Sequence, residues 1–308
     1  MTNKGYTVLA DMRWPIHTGI GQVQKSLFER KPNDINIVDL NVYGRIGHPF
    51  SPLRVAKAIK LAQKPRAVFL SVGFIPPLLA CQRSVVFVHD LTHLKYYGPL
   101  YKIYYNNILR PLYRRCAAII CPCDYSGAEF YRWSKIRRDR LHVVKVCVGN
   151  NFLSNKNTID LGYKYIIYPG NHRKYKNMVR LVRAYAMSKV MADGIHLLFT
   201  GREEKQIIKL SRDLGIDDYV HFLGVVSSEN MPALYRGALA IVFVSLYEGF
   251  GLPILEGMAS DVPVITSISS SMPEVAGGAA FLVDPFSVDA IAAAIKKVTL
   301  DQKLRDEL

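Results

Sequence analysis

A chain of 308 residues, half of them apolar, is long enough for two compact domains of roughly 150 residues each. Its polar start, MTNKGYTVLADMRW, runs straight into a buried-strand pattern and is not the pattern of a signal peptide, and no apolar run is long enough to span a bilayer. The net charge of +15 lies wholly in the first half: residues 1–150 hold 23 Lys and Arg against 8 Asp and Glu, whereas residues 151–308 hold 17 of each.

In chain order, the first half alternates short apolar runs with amphipathic stretches, the pattern of a parallel sheet covered on both faces. Its strand candidates are Tyr6–Ala10, Ile35–Leu40, Ala67–Val72, Val85–His89, Ala117–Cys121 and Val143–Val148. After the first of these, His17-Thr-Gly-Ile-Gly21 precedes a predicted helix, Gln22–Arg30, and could cradle a phosphate against its N-terminus through Gly19 and Gly21. Arg54, Lys57, Lys60 and Lys64 make a stripe at helical spacing. His89 closes the fourth candidate strand, either as a ligand contact or as a satisfied strand-end histidine. Asp90 is the single carboxylate between Leu40 and Cys123, and its bland reading is a cap on the following turn. The segment Lys95–Arg115 holds five basic residues, six tyrosines and no acid. Such a surface suits an anionic bilayer, or else its tyrosines pack inward and its charges are merely solvated. The cysteines Cys81, Cys116, Cys121, Cys123 and Cys147 lack zinc-site spacing and read as reduced thiols of a cytoplasmic protein.

The Asn-, Gly- and Ser-rich stretch from Gly149 to Tyr163 is the expected linker, dividing the chain into domains 1–155 and 156–308 with a cleft between their sheets. Beyond it the strand candidates are Tyr165–Tyr168, His196–Thr200, Val220–Leu223, Ala240–Val244, Pro263–Thr266 and Phe281–Val283. Two doubly wound α/β domains follow, with chemistry expected in loops after the strands. One such loop holds Gly170 and then Arg173, Lys174 and Lys176, either a diphosphate-neutralising cluster or a solvated face. After Ala240–Val244 comes Ser245-Leu-Tyr-Glu-Gly-Phe-Gly-Leu-Pro253, with Pro253 in the first turn of the next helix. Gly249 and Gly251 permit close approach to backbone, Glu248 can accept from sugar hydroxyls, and Glu256 can accept from a ribose diol or simply complement the helix dipole.

The full phrases SLYEGFGLPILEGMASDVPVITS and PEVAGGAAFLVDP closely resemble the donor-binding signature of the retaining family-four glycosyltransferases with the GT-B fold, and the likeness runs from about Tyr165 to the C-terminus. It extends more loosely over the first half, through TGIG and through FVHDL at Phe87–Leu91, phrases that lean towards mannosyltransferase-like relatives. The resemblance implies two Rossmann-like domains facing across a cleft and a hexosyltransferase drawing on a GDP- or UDP-sugar. By the same resemblance Glu248 binds the hexose, Glu256 the ribose, and the amides of Phe250, Gly251 and Leu252 the sugar and diphosphate. Gly201-Arg202 and Val225-Val226 stand where relatives hold the base, and His89 touches the donor sugar. Lys176 matches the family's lysine; the arginine position falls on Asn171 or Tyr175, with Arg173 the candidate for the missing charge. Glu248, Lys176 and His89 are the expected catalytic residues. No D-x-D motif occurs, so neither metal nor other cofactor is expected. The expected acceptor is a glycan or lipid-linked molecule of surface polysaccharide synthesis, reached from the cytoplasmic face of an anionic membrane. Competing readings are a basic nucleic-acid-binding protein, which leaves the donor signature unexplained, a phosphorylase or epimerase, and an inactive or truncated relative. The last is raised by the absence, after LDQKLRDEL, of the usual helix that crosses back to the first domain.

Overall fold

The computed structural model describes residues 6–16 and 18–307. Two compact units divide the chain, Met1–Cys147 and Val148–Leu308. This break precedes the 155/156 division for a physical reason. Within the expected linker, Asn150–Ser154 forms a short helix, and its Phe152 is buried in the second unit's core, edge-on to Tyr235 at 5.2 Å. Polar composition in that stretch hides one anchoring aromatic ring.

The first unit carries six parallel strands, Tyr6–Ala10 (β1), Ile35–Asp39 (β2), Val68–Ser71 (β3), Ser84–Phe87 (β4), Ala118–Cys121 (β5) and Leu141–Val143 (β6), in the order β2-β1-β3-β4-β5-β6. Five lie within a residue or two of their apolar runs. The sixth does not: pairing of Ile119 with Leu141 and of Cys121 with Val143 places it ahead of the expected Val143–Val148. As an edge strand of three residues it buries little, so the apolar run did not mark it. Helix α1, Gly19–Glu29, begins before the expected Gln22, and α2, Ser51–Leu61, carries all but the last residue of the basic stripe. The tyrosines of Lys95–Arg115 divide between the two readings. Tyr105 and Tyr113 are buried among Phe130 and Trp133, while Tyr96 and Tyr101 are exposed. Four cysteines are buried as free thiols and Cys147 is exposed.

The second unit repeats the scheme with Lys164–Tyr168 (β7), Ile195–Phe199 (β8), Val220–Phe222 (β9), Ala240–Phe243 (β10), Val264–Ser267 (β11) and Phe281–Val283 (β12), all parallel, in the order β12-β11-β10-β7-β8-β9. Nearly continuous runs such as Tyr165–Tyr168 and Ala240–Val244 are buried on both faces, as a covered parallel sheet requires. Fully buried tyrosines keep their hydroxyls satisfied, Tyr165 donating to the Leu234 carbonyl at 2.8 Å and Tyr185 to that of Ile195 at 2.6 Å. The strand order reverses between β7 and β10, and at such a reversal the loops leaving the two carboxyl ends part and open a crevice.

Candidate donor site

Two side chains meet at that reversal. Lys176, in the turn after β7, and Glu248, in the loop after β10, form an ion pair with Nζ and Oε1 2.5 Å apart. Their side chains are only 9% and 13% exposed. The ammonium also sits 4.9 Å over the Phe243 ring and 5.6 Å over that of Tyr175. The turn is fixed by its next residue: Asn177 adopts φ 65°, and its side-chain amide donates to the carbonyls of Val244 and Pro285. The carboxylate and the ammonium that the sequence assigned to sugar and diphosphate thus hold each other in place.

The Glu248–Leu252 loop is moulded by serines after β11. Ser270 Oγ accepts the Glu248 N–H at 2.9 Å, and the Ser271 hydroxyl donates to the carbonyls of Glu248 and Phe250 at 3.0 and 2.8 Å. In a trans peptide the carbonyl of one residue and the N–H of the next point in opposite directions. Holding the Phe250 carbonyl on Ser271 therefore turns the Gly251 N–H away from it. Gly251 then takes φ 105°, which an L side chain rarely adopts, and caps the helix Leu252–Ala259 with Pro253 in its first turn. The helix N-terminus thus follows Glu248 by a few residues in the same loop, a setting suited to an anion.

Glu256 lies in the second turn of that helix, where the Tyr235 hydroxyl donates to Oε2 at 2.8 Å. Burial pushes its carboxyl up to about 7, and the tyrosine's hydrogen bond holds it down. The loops after β7, β8 and β9 are tied to one another. Thr200 Oγ1 accepts the Gly170 N–H at 2.9 Å, its carbonyl faces His172 Nε2 at 2.7 Å, and Gly201 donates to the Gly224 carbonyl at 2.6 Å. Gly201, at φ 96°, has a backbone conformation that an L side chain rarely adopts, and a Cβ there would press on the His172 ring at 3.2 Å. Arg173, Arg202 and Val225 are exposed on these loops. Gly170, Arg173, Lys176, Gly201, Arg202, Val225, Glu248 to Leu252 and Glu256 are thus gathered at the carboxyl edge of one sheet.

Gly19, Gly21 and His89 belong to the other unit, at the carboxyl edge of its own sheet. The sequence placed Gly19 and Gly21 in a phosphate loop; both instead lie in the first turn of α1. Thr18 Oγ1 already accepts the Gly21 N–H at 3.1 Å, and a side chain at Gly21 would strike the Pro15 carbonyl. Local packing accounts for that glycine, and His17 lies outside the described residues. His89 stacks on Phe87 at 4.6 Å and sets Nε2 2.7 Å from the Val72 carbonyl, so Nε2 carries the hydrogen. Burial lowers its pKa and favours the neutral ring. Asp90 accepts the Thr92 N–H at 2.8 Å, as a turn cap does. Sequence reasoning passed over Tyr235, His172, Thr200, Ser270 and Ser271. The run of three serines after β11 was the one available signal. It also missed Asp11, buried at the end of β1 and gripped by Arg13 through both carboxylate oxygens.

Residues 150–308 match the family described as Glycosyl transferases group 1, and residues 21–148 match Glycosyltransferase Family 4. Over 241 residues the chain is 29% identical to O-antigen chain mannosyltransferase B of Escherichia coli, covering 73% of this chain and 63% of that one. It therefore spans less than two thirds of that relative's length. Among solved structures it shares the GT-B fold of WaaG, a glycosyltransferase involved in lipopolysaccharide biosynthesis, with TM-score 0.73 and 16% identity over 97% of this chain and 92% of that one. Anabaena Alr3699/HepE, solved with UDP and glucose, gives 0.72 and 15% over 98% and 92%.

Proposed function

Because the chain belongs to the group 1 glycosyltransferases, we propose that it is a retaining hexosyltransferase that moves a mannose-like sugar from a GDP- or UDP-linked donor to a glycan or lipid-linked acceptor in surface polysaccharide synthesis. The observation that carries this reading is the Lys176–Glu248 pair at the strand reversal, beside the N-terminus of Leu252–Ala259. Glu248 binds the hexose hydroxyls. Lys176, together with Arg173 and the helix N-terminus, meets the diphosphate charge as the leaving group departs, without a metal ion. The acceptor hydroxyl attacks from the leaving-group face and a diphosphate oxygen takes its proton, so no separate protein base is required. Positioning and electrostatics are the main contributions of these side chains. The similarity to an O-antigen mannosyltransferase supports the hexose and the pathway class, and the UDP held by HepE keeps both bases open.

Among the described residues no helix is long and apolar enough to cross a membrane. We assign the enzyme to the cytoplasmic face of an anionic membrane, attached peripherally through its basic first unit. The test of the enzymatic reading is thermal stabilisation by GDP, UDP, dTDP and their sugars, followed by product analysis. The expected result is a shift by one base and its sugar, then release of that nucleoside diphosphate with an extended glycan. Stabilisation by none of the three, or consumption of orthophosphate, would sink it.

A further inference from the structure

The outward side of α2 is amphipathic in an unusual sense. Val55 and Ala56 are buried in the core, while Leu53, Lys57, Lys60 and Leu61 of α2, with Lys64 just beyond its end, are exposed. Exposed leucines and cations therefore share one stripe. The apolar part continues beyond the helix. Phe50 precedes it, and the Leu78 N–H donates to the Pro52 carbonyl at 2.9 Å, which brings Leu79 beside its first turn. Phe50, Leu53, Leu61 and Leu79 are each more than half exposed.

At the other end of α2, where β3 and β4 begin, lies a shallow pocket of about 290 Å³. Ile59, Phe69 and Ala80 line it together with the cations Lys60, Lys64 and Arg83. No carboxylate occurs between Leu40 and Asp90, so nothing in this part of the sequence offsets those three charges. A pocket lined by apolar side chains and three cations matches a molecule with an anionic head and an apolar tail. A nucleic-acid strand would gain nothing from four exposed aliphatic or aromatic side chains lying outside the pocket, whereas a bilayer covers them.

We propose that this pocket seats the headgroup of an anionic phospholipid, and that the exposed stripe of α2 with Leu79 lies in the membrane interface around it. The proposal rests on the reading that the first unit works against a membrane, and it adds the surface and the lipid class. Its test is flotation of the whole protein with vesicles of equal parts phosphatidylglycerol and phosphatidylcholine, compared with phosphatidylcholine alone, at low salt. Lys60→Gln/Lys64→Gln/Arg83→Gln should weaken binding to the anionic vesicles about a hundredfold. The same number of charges removed from the second unit, Lys205→Gln/Lys296→Gln/Lys303→Gln, should leave it unchanged. Leu61→Asp/Leu79→Asp should release the protein although every cation remains. Unaltered binding in the first triple variant overturns the proposal, as does equal loss in the control triple or no effect of the aspartates. So does a first triple variant that loses a single-stranded oligonucleotide but keeps the vesicles. Vesicle binding needs neither donor nor acceptor, and nucleotide stabilisation needs no lipid, so each reading can fail without the other.

Discussion

The two units share a topology of six parallel strands and differ in almost everything layered upon it. The second has one continuous core, running from Phe152 to Val298, and equal numbers of acidic and basic residues. The first has smaller clusters, one around Val86, Tyr113 and Phe130 and another around Leu9, Val55 and Phe69, and it carries the whole charge excess. A unit that must hold a carboxylate and an ammonium in register needs a rigid support, and a single packed core supplies it. On the proposed membrane reading, the first unit instead needs an uncompensated field and exposed apolar side chains, both of which leave less for a core. If both proposals hold, the same strand order supports two different kinds of recognition.

Four tests probe that contrast. The largest effect is expected from Glu248→Ala, which should lower kcat/KM about a thousandfold in a nucleoside diphosphate release assay. Next, Lys176→Ala should cost about 3 kcal/mol in denaturant unfolding of the second unit as well as activity, because it strands a largely buried carboxylate. If that variant is as stable as the parent, the pair is looser than its geometry indicates.

The third test uses pH. Burial raises the folded-state pKa of Glu256 from 4.5 to about 7, so folding favours its protonated form. The stability gained in this way is complete below about pH 4.5 and is lost as pH rises through about 7; the whole change is of order 3 kcal/mol or less. Glu256→Gln should flatten that part of the stability profile. Tyr235→Phe, by removing the hydrogen bond that lowers the pKa, should move the acid limb of donor affinity to higher pH. A profile that stays put in both variants would remove Glu256 from the donor site.

The smallest effect is expected in the first unit. With Nε2 committed to Val72, His89→Ala should reduce kcat/KM about tenfold, well short of Glu248→Ala. Comparable losses from the two substitutions would break the contrast between the units.

Much of this was legible in the chain. Eleven of the twelve strands among the described residues follow directly from apolar runs because a covered parallel sheet leaves little polar alternation to confuse them, and the exception, β6, has no buried residue to mark it. The EGFGLPILE phrase marks its own turn and helix start, since Gly251 and Pro253 are local requirements. Contacts between distant segments left no such mark. The Lys176–Glu248 pair spans 72 residues. Ser271 and Tyr235 act on the loop and on Glu256 through tertiary packing that no spacing rule encodes. Gly21 shows the reverse failure: a glycine in a suggestive phrase whose local cause is a neighbouring carbonyl.

The ties among Thr200, Gly170, His172, Gly201 and Gly224 make the loops after β7, β8 and β9 one mechanical piece. If these loops hold the donor's base as proposed, retooling the scaffold for a different nucleotide would mean transplanting three segments as a cassette, because a single exchanged loop would arrive without the partners that shape it. Drift in donor preference across relatives should accordingly come in coordinated steps, with changes at these positions inherited together.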